Sequence, residues 1–103
     1  MQTIQLQKFG TVLVSRPAGR EAFNAIRSSL ETNATIKVDF DGVLTVTPSW
    51  LDEFLTQLTK YVGDKVKLLP TQNASVLASL PVLSEARYDL VAKIIKDSHL
   101  IAQ

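Results

Sequence analysis

A hydroxyl at the head of a helix is the clearest chemical opportunity in this sequence. Thr47-Pro48-Ser49 precedes an amphipathic run, and Ser49 falls where unpaired backbone N–H groups and the helix dipole favour negative charge. That position suits a phosphoacceptor or an anion contact. It equally suits a helix cap, because Ser49-x-x-Asp52 resembles a capping box with Asp in place of Glu. Asp39, Asp41, Asp52 and Glu53 are close enough in sequence to gather at one strand-to-helix turn, the setting in which carboxylates hold hard cations. Their spacing matches no calcium or magnesium loop, so no metal site is expected. Asp39 and Asp41 read instead as strand-end residues, and Asp52 and Glu53 suit the first turn of a helix. Arg16, Arg20 and Arg27 lie within about 40° of one another on a helical wheel. They offer a stripe for an anion or an acidic partner. Arginines at such a border also lay their stems over the core edge and pair with a neighbour such as Glu31.

Other chemistries find no footing. His99 is the only histidine, so a histidine metal cluster is impossible and a Ser-His-Asp triad would have to use that one residue. None of the four glycines belongs to a G-x-G or Walker-type loop. The chain lacks cysteine, which removes disulfides, thiolate chemistry and Cys-ligated zinc. No catalytic residue and no cofactor is expected.

The elements that must position these residues can be read from periodicity. Thr3 to Gln7 alternates with Ile4 and Leu6 on one face and predicts a strand, joined by a hairpin through Lys8–Gly10 to a second extended run, Thr11–Val14. Ser15-Arg16-Pro17 predicts a helix start, with the helix running to about Thr32 and Ala18, Ala22, Phe23, Ile26 and Leu30 on its apolar face. Gly19 weakens that helix slightly. Ile36–Phe40 predicts a central strand, Asp41-Gly42 a turn, and Val43–Val46 an extended loop. From about Ser49 to Val62, the residues Trp50, Leu51, Phe54, Leu55, Leu58, Tyr61 and Val62 form one apolar arc, with Gly63 as its C-terminal stop. Lys65–Leu69 predicts a strand. Asn73 caps a short helix, Ala74–Leu80, Pro81 breaks or restarts it, and a final helix covers about Val82 to Ser98.

Strands separated by helices imply right-handed crossovers and a mainly parallel sheet. The expected fold is therefore α/β: a single domain over 1–103, with its core in 3–80 and a helical segment over 81–103. At 103 residues and 46% hydrophobic composition the chain can bury a core and is not disordered. A net charge of +1 argues against a nucleic-acid binder. No apolar run approaches the roughly 18 residues of a membrane span, and Met1-Gln2-Thr3 does not open a signal peptide, so a cytoplasmic location is expected. The stripe Leu83, Leu90, Val91, Ile94 and Ile95 is too apolar for water and should pack on the domain or on a second copy.

Phe9-Gly10, Ser15-Arg16, Val38-Asp39-Phe40-Asp41-Gly42-Val43 and Ser49-Trp50-Leu51-Asp52-Glu53 together resemble the STAS-like group, relatives of the sulphate-transporter and anti-sigma-factor-antagonist domain, in a branch of uncharacterised function. The likeness spans roughly Phe9 to Leu80. In anti-sigma-factor antagonists a serine at the start of the corresponding helix is phosphorylated by a partner kinase, and the resemblance places Ser49 there. That family carries an acidic residue, serines and a glycine at this turn, whereas this chain reads Thr47-Pro48-Ser49-Trp50. The resemblance implies a non-enzymatic interaction module that binds a protein such as a histidine-kinase-like ATPase, with Ser49 as phosphoacceptor; by residue type and position, Arg16, Arg20, Arg27, Asp41, Gly42, Thr47, Asp52 and Glu53 are candidate partner or ligand contacts. The competing expectation is a small-ligand or nucleotide sensor binding at the Gly42–Ser49 loop, beyond the carboxyl ends of the strands.

Overall fold

The computed structural model describes residues 1–85, 87 and 89–100. Among these residues, five short strands and four α-helices follow in the order β1 (Gln2–Gln5), β2 (Val12–Leu13), α1 (Arg16–Ile26), β3 (Ile36–Asp39), β4 (Thr45–Val46), α2 (Pro48–Val62), β5 (Val66–Leu68), α3 (Ala74–Glu85) and α4 (Leu90–Asp97). All strand pairs are parallel. One sheet has the order β1-β3-β5, with Ile4 opposite Val38 and Val38 opposite Leu68. The other pairs β2 with β4, Leu13 opposite Val46. The alternation in β3 sends Ile36, Val38 and Phe40 into the core at 0%, 0% and 1% exposure and leaves Lys37 and Asp39 half-buried.

The expected hairpin across Lys8–Gly10 does not form. β1 ends at Gln5, and Leu6–Phe9 wind into a 3₁₀ turn that buries Leu6. The chain then moves on to β2, whose partner is β4 and not β1. Two chain segments, 2–13 and 36–46, thus run side by side, paired before and after a turn in each. Alternation specifies which face of a strand is buried, not its neighbour, so TIQLQ fits either arrangement. The stretch expected as an extended loop supplies β4.

α1 opens on Ser15, whose Oγ accepts a hydrogen bond from the Ala18 N–H at 3.3 Å. It ends at Ile26, short of Thr32, and tightens into a 3₁₀ turn over Arg27–Ser29. α1 packs chiefly on α2. Gly19 sits at the contact: a β-carbon there would lie 2.5 Å from the Trp50 carbonyl oxygen and 3.3 Å from the Glu53 β-carbon. The glycine is thus a condition of the helix crossing rather than a mere weak point. Along α2, Trp50, Leu51, Phe54, Leu55, Leu58 and Val62 are buried as their spacing demands, while Tyr61 remains 41% exposed. Trp50 and Phe54 stack with centroids 5.1 Å apart, and Phe9 leans on both. Gly63 follows as the C-terminal stop, its N–H donating to the Thr59 carbonyl at 2.9 Å.

Asn73 caps α3, its Oδ1 accepting from the N–H groups of Ser75 and Val76 at 2.9 and 3.1 Å. α3 then runs through Pro81 to Glu85. Leu80 and Leu83, buried on either side of the exposed proline, hold the helix on the core and outweigh the missing hydrogen bond. The interruption comes later, where Asp89 caps α4 through Oδ1 and the Ala92 N–H. The single helix expected over 82–98 is therefore two. Ala86 and Tyr88, within that expectation, and the last three residues of the expected 81–103 segment lie outside the described residues. Val91, Ile94 and Ile95 join the hydrophobic core of the described residues, which thereby extends past residue 80, while Leu90 of the same stripe stays 39% exposed. Among the described residues no helix is long and apolar enough to cross a membrane.

Candidate functional site

The amino end of α2 gathers most of the residues that sequence chemistry singles out. Thr47 takes the N-cap position in extended conformation, and Pro48 is the first helical residue, where its missing N–H costs nothing. Ser49 is therefore one step inside the helix, not at the cap, and the expected capping box with Asp52 is not made. The Thr47 side chain makes no capping bond either; its hydroxyl lies 3.5 Å from Ser49 Oγ, and either oxygen can be the donor. Ser49 is half-buried and opens onto a shallow hollow of about 380 Å³ lined by Arg16, Pro48, Ser49, Asp52, Val82, Leu83 and Arg87.

Behind Ser49 an ionic network ties three parts of the chain together. Asp52 stands one helical turn after Ser49. Its Oδ2 accepts from Arg16 Nη1 at 2.9 Å, and its Oδ1 accepts from Arg87 Nη1 and from Thr56 Oγ1. Arg87 continues to Asp89, with Nε 2.9 Å from Oδ1, and to Thr56 Oγ1. Glu53 faces α1 instead of solvent. It is only 6% exposed, contrary to its place on the polar side of the helical wheel. Burial of that carboxylate is offset by Gln57 Nε2 at 2.9 Å, Arg20 Nε at 3.2 Å and Arg16 Nη1 at 3.5 Å. The Gln57 amide is the chief reason that the Glu53 carboxyl titrates below its ordinary range; the two arginines add to this, against the opposing effect of burial. The bond from Arg87 likewise holds the Asp89 carboxyl low. In return Asp52 raises the Arg16 guanidinium above its ordinary value, and Asp89 does the same for Arg87.

The other candidates do not join this group. Arg27 lies on the 3₁₀ turn after α1, exposed and without an ion pair among the described residues. Arg16 and Arg20 pair across to α2 and not with Glu31. Asp41 and Gly42 turn the chain between β3 and β4: the Asp41 N–H donates to Asp39 Oδ1 at 3.0 Å. Gly42 has φ +84°, and a β-carbon on it would fall 2.3 Å from the Gln7 side chain. The loop beyond is occupied by its own contacts, with Val43 and Val46 buried and Asn73 Nδ2 donating to the Val43 carbonyl at 2.7 Å. Asp41, Gly42, Leu44 and Thr45 of this loop remain exposed. Among the described residues no three His, Asp or Glu side chains converge to hold a metal ion.

Two charged participants, Arg87 and Asp89, escaped the sequence reading, as did the burial of Glu53. Arg87 carries no periodic signal, since it lies between helices. Asp89 does: an Asp directly before the amphipathic run LVAKII is an N-cap signature. The burial of Glu53 follows from Gly19, which lets α1 close over it.

The fold and site define a small α/β domain of parallel strands, with a hydroxyl-bearing helix terminus set among arginines. Residues 18–75, more than half of the chain, match the family described as STAS-like domain of unknown function (DUF4325), and the chain belongs to that family. The matched span contains Ser49, Asp52 and Glu53 and leaves out Arg16 and Arg87. No curated protein matches the chain. No solved structure matches it.

Proposed function

We propose that this chain is a non-catalytic, cytoplasmic protein-interaction module whose partner binding is switched by phosphorylation of Ser49. The observation that carries the reading is the state of the Ser49 hydroxyl. It sits in the first turn of α2 and faces a surface hollow, and Thr47 relieves it of the capping position. Unlike a cap, it has no backbone bond to give up on modification.

The surroundings also supply what a phosphate needs. A phosphoserine adds a charge of about −1.5 to −2 and three strong acceptor oxygens. Sequence alone sets that charge against Asp52 and Glu53. In the folded chain Glu53 is taken up by Arg20 and Gln57, and Arg16 and Arg87 border the same hollow as Ser49. A phosphate at Ser49 draws Arg16 and Arg87 away from Asp52, aided by the helix dipole. The result is a changed charge pattern on one patch, formed from α1, α2 and the α3–α4 junction, with the core untouched. A partner that reads that patch loses or gains contacts. The family resemblance points to a kinase-like ATPase as the class of partner.

Fragment mass spectrometry of the chain isolated from its native cells tests the modification. Phosphate on Ser49 supports the reading, and its absence under every growth condition overturns it.

A further inference from the structure

We propose that the outer edge of β2, with the apolar groove between β2 and α1, receives an extended segment of a partner protein by strand addition. In a parallel ladder, alternate residues turn their backbone groups to opposite sides. The Thr11 carbonyl accepts from Thr45 N–H at 3.1 Å and the Leu13 carbonyl from Thr47 N–H at 3.0 Å, so Thr11 and Leu13 serve β4. The N–H and C=O of Val12 and the N–H of Val14 face the other way. Outside the β2–β4 ladder, from which they point away, none of these three groups has a backbone hydrogen bond among the described residues. The far edge of β4, by contrast, is closed: Val46 N–H donates to Ser75 Oγ at 3.0 Å.

Natural edges are usually guarded by charge or proline, and Thr11–Val14 has neither. It shows Val12 at 58% and Val14 at 44% exposure, with Leu44 beside them at 70%. Next to this edge runs a groove of about 390 Å³, whose helical wall is Ala18, Ala22 and Ala25 and whose floor includes Phe9. Small side chains on α1 leave its depth open. Glu21 is the one charged residue lining it and makes no ion pair among the described residues.

These features select the occupant. Unpaired N–H and C=O groups call for an extended backbone. The hollow calls for bulky apolar side chains at alternate positions, and Glu21 for a Lys or Arg. A second copy of this chain fits poorly: its β2 would bring only Val12 and Val14, because Leu13 is buried in its own core, and would set another Glu21 where a cation belongs. Ser49, Asp52 and Arg87 take no part in this surface, which stands or falls apart from the phosphorylation reading.

The test is an NMR titration of the full, isotope-labelled chain with three blocked hexapeptides of alternating Leu and Thr that end in Lys, Gln or Glu. The expected result is a shift and slowed hydrogen exchange of the Val12 and Val14 amides, with the Lys peptide binding roughly two- to fivefold tighter than the Glu peptide. Glu21→Lys, an exposed substitution, should reverse that order. A copy of the Lys peptide N-methylated at alternate amides should lose binding. Equal binding by the N-methylated peptide, no response at Val12 and Val14 to any peptide, or a free chain that sediments as a dimer with those amides already protected would each overturn the proposal.

Discussion

The α-carbon of Gly19 in α1 rests against the backbone carbonyl of Trp50 in α2, so close that a β-carbon would stand 2.5 Å from the oxygen. This contact sets the distance between the two helices that carry the arginines and carboxylates of the site. Gly19→Ala removes a helix-interior glycine, which on propensity alone would stabilise by about 1 kcal/mol. Here the obstacle is backbone, which cannot rotate aside. The expected outcome is a net loss of about 1–3 kcal/mol in urea unfolding, as in other overpacked contacts. A stabilised variant would show that the helices separate without cost.

Ser49→Ala should change stability by less than about 0.5 kcal/mol, the range of a surface substitution. Were Ser49 the cap of α2, the loss would be about 0.5–2 kcal/mol. Thermal and denaturant unfolding of the two chains distinguishes the cases.

Trp50 is 1% exposed and stacked on Phe54. Its fluorescence should peak well to the blue of solvent-exposed tryptophan. Trp50→Ala should cost about 3–5 kcal/mol. A solvent-like emission maximum in the native protein would contradict the packing of α2.

The carboxyls of Glu53 and Asp89 titrate below their ordinary values in the folded chain. As pH falls, the unfolded chain takes up these protons first, so the folded state loses the corresponding stability. The contribution is complete above the ordinary Glu value of 4.5 and disappears as pH drops through the lower folded values. Stability measured from pH 7 downward should therefore decline below about pH 4.5, and Glu53→Gln should flatten that decline. A decline of the same slope in the variant would remove Glu53 as its cause.

Much of this architecture was legible in the sequence where one residue pattern has one solution. Ile36, Val38 and Phe40 alternate as a buried strand must. The arc from Trp50 to Val62 gives α2, and Asn73 before Ala74 gives the cap of α3. Strand partners were not legible, because the alternation of Ile4 and Leu6 says nothing about which strand lies alongside; that choice is made by tertiary packing, and it turned a hairpin into two parallel pairs. Pro81 and Gly19 misled for the same reason. Each carries a local penalty that burial of Leu80 and Leu83, or the close approach of Trp50, outweighs. At the site, Ser49 and the arginines of α1 could be found by type and spacing. Arg87 could not, since its place beside Asp52 depends on where α3 ends and α4 begins.

The arginine network gives one more expectation. Arg16 is half-exposed, so its pair with Asp52 should show a coupling below about 1 kcal/mol in a double-mutant cycle. Asp52→Ala should cost more than Arg16→Ala, because Asp52 also holds Arg87. Equal losses would mean that Arg87 does not depend on Asp52.

The most direct test of the switch is affinity capture from extracts of the native cells with the wild-type chain, Ser49→Ala and Ser49→Asp, read by quantitative mass spectrometry alongside the melting temperature of each bait. The expected result is a set of proteins retained by wild type and Ser49→Ala but depleted on Ser49→Asp, with all three baits melting alike. The same proteins in equal amounts on all three would contradict it.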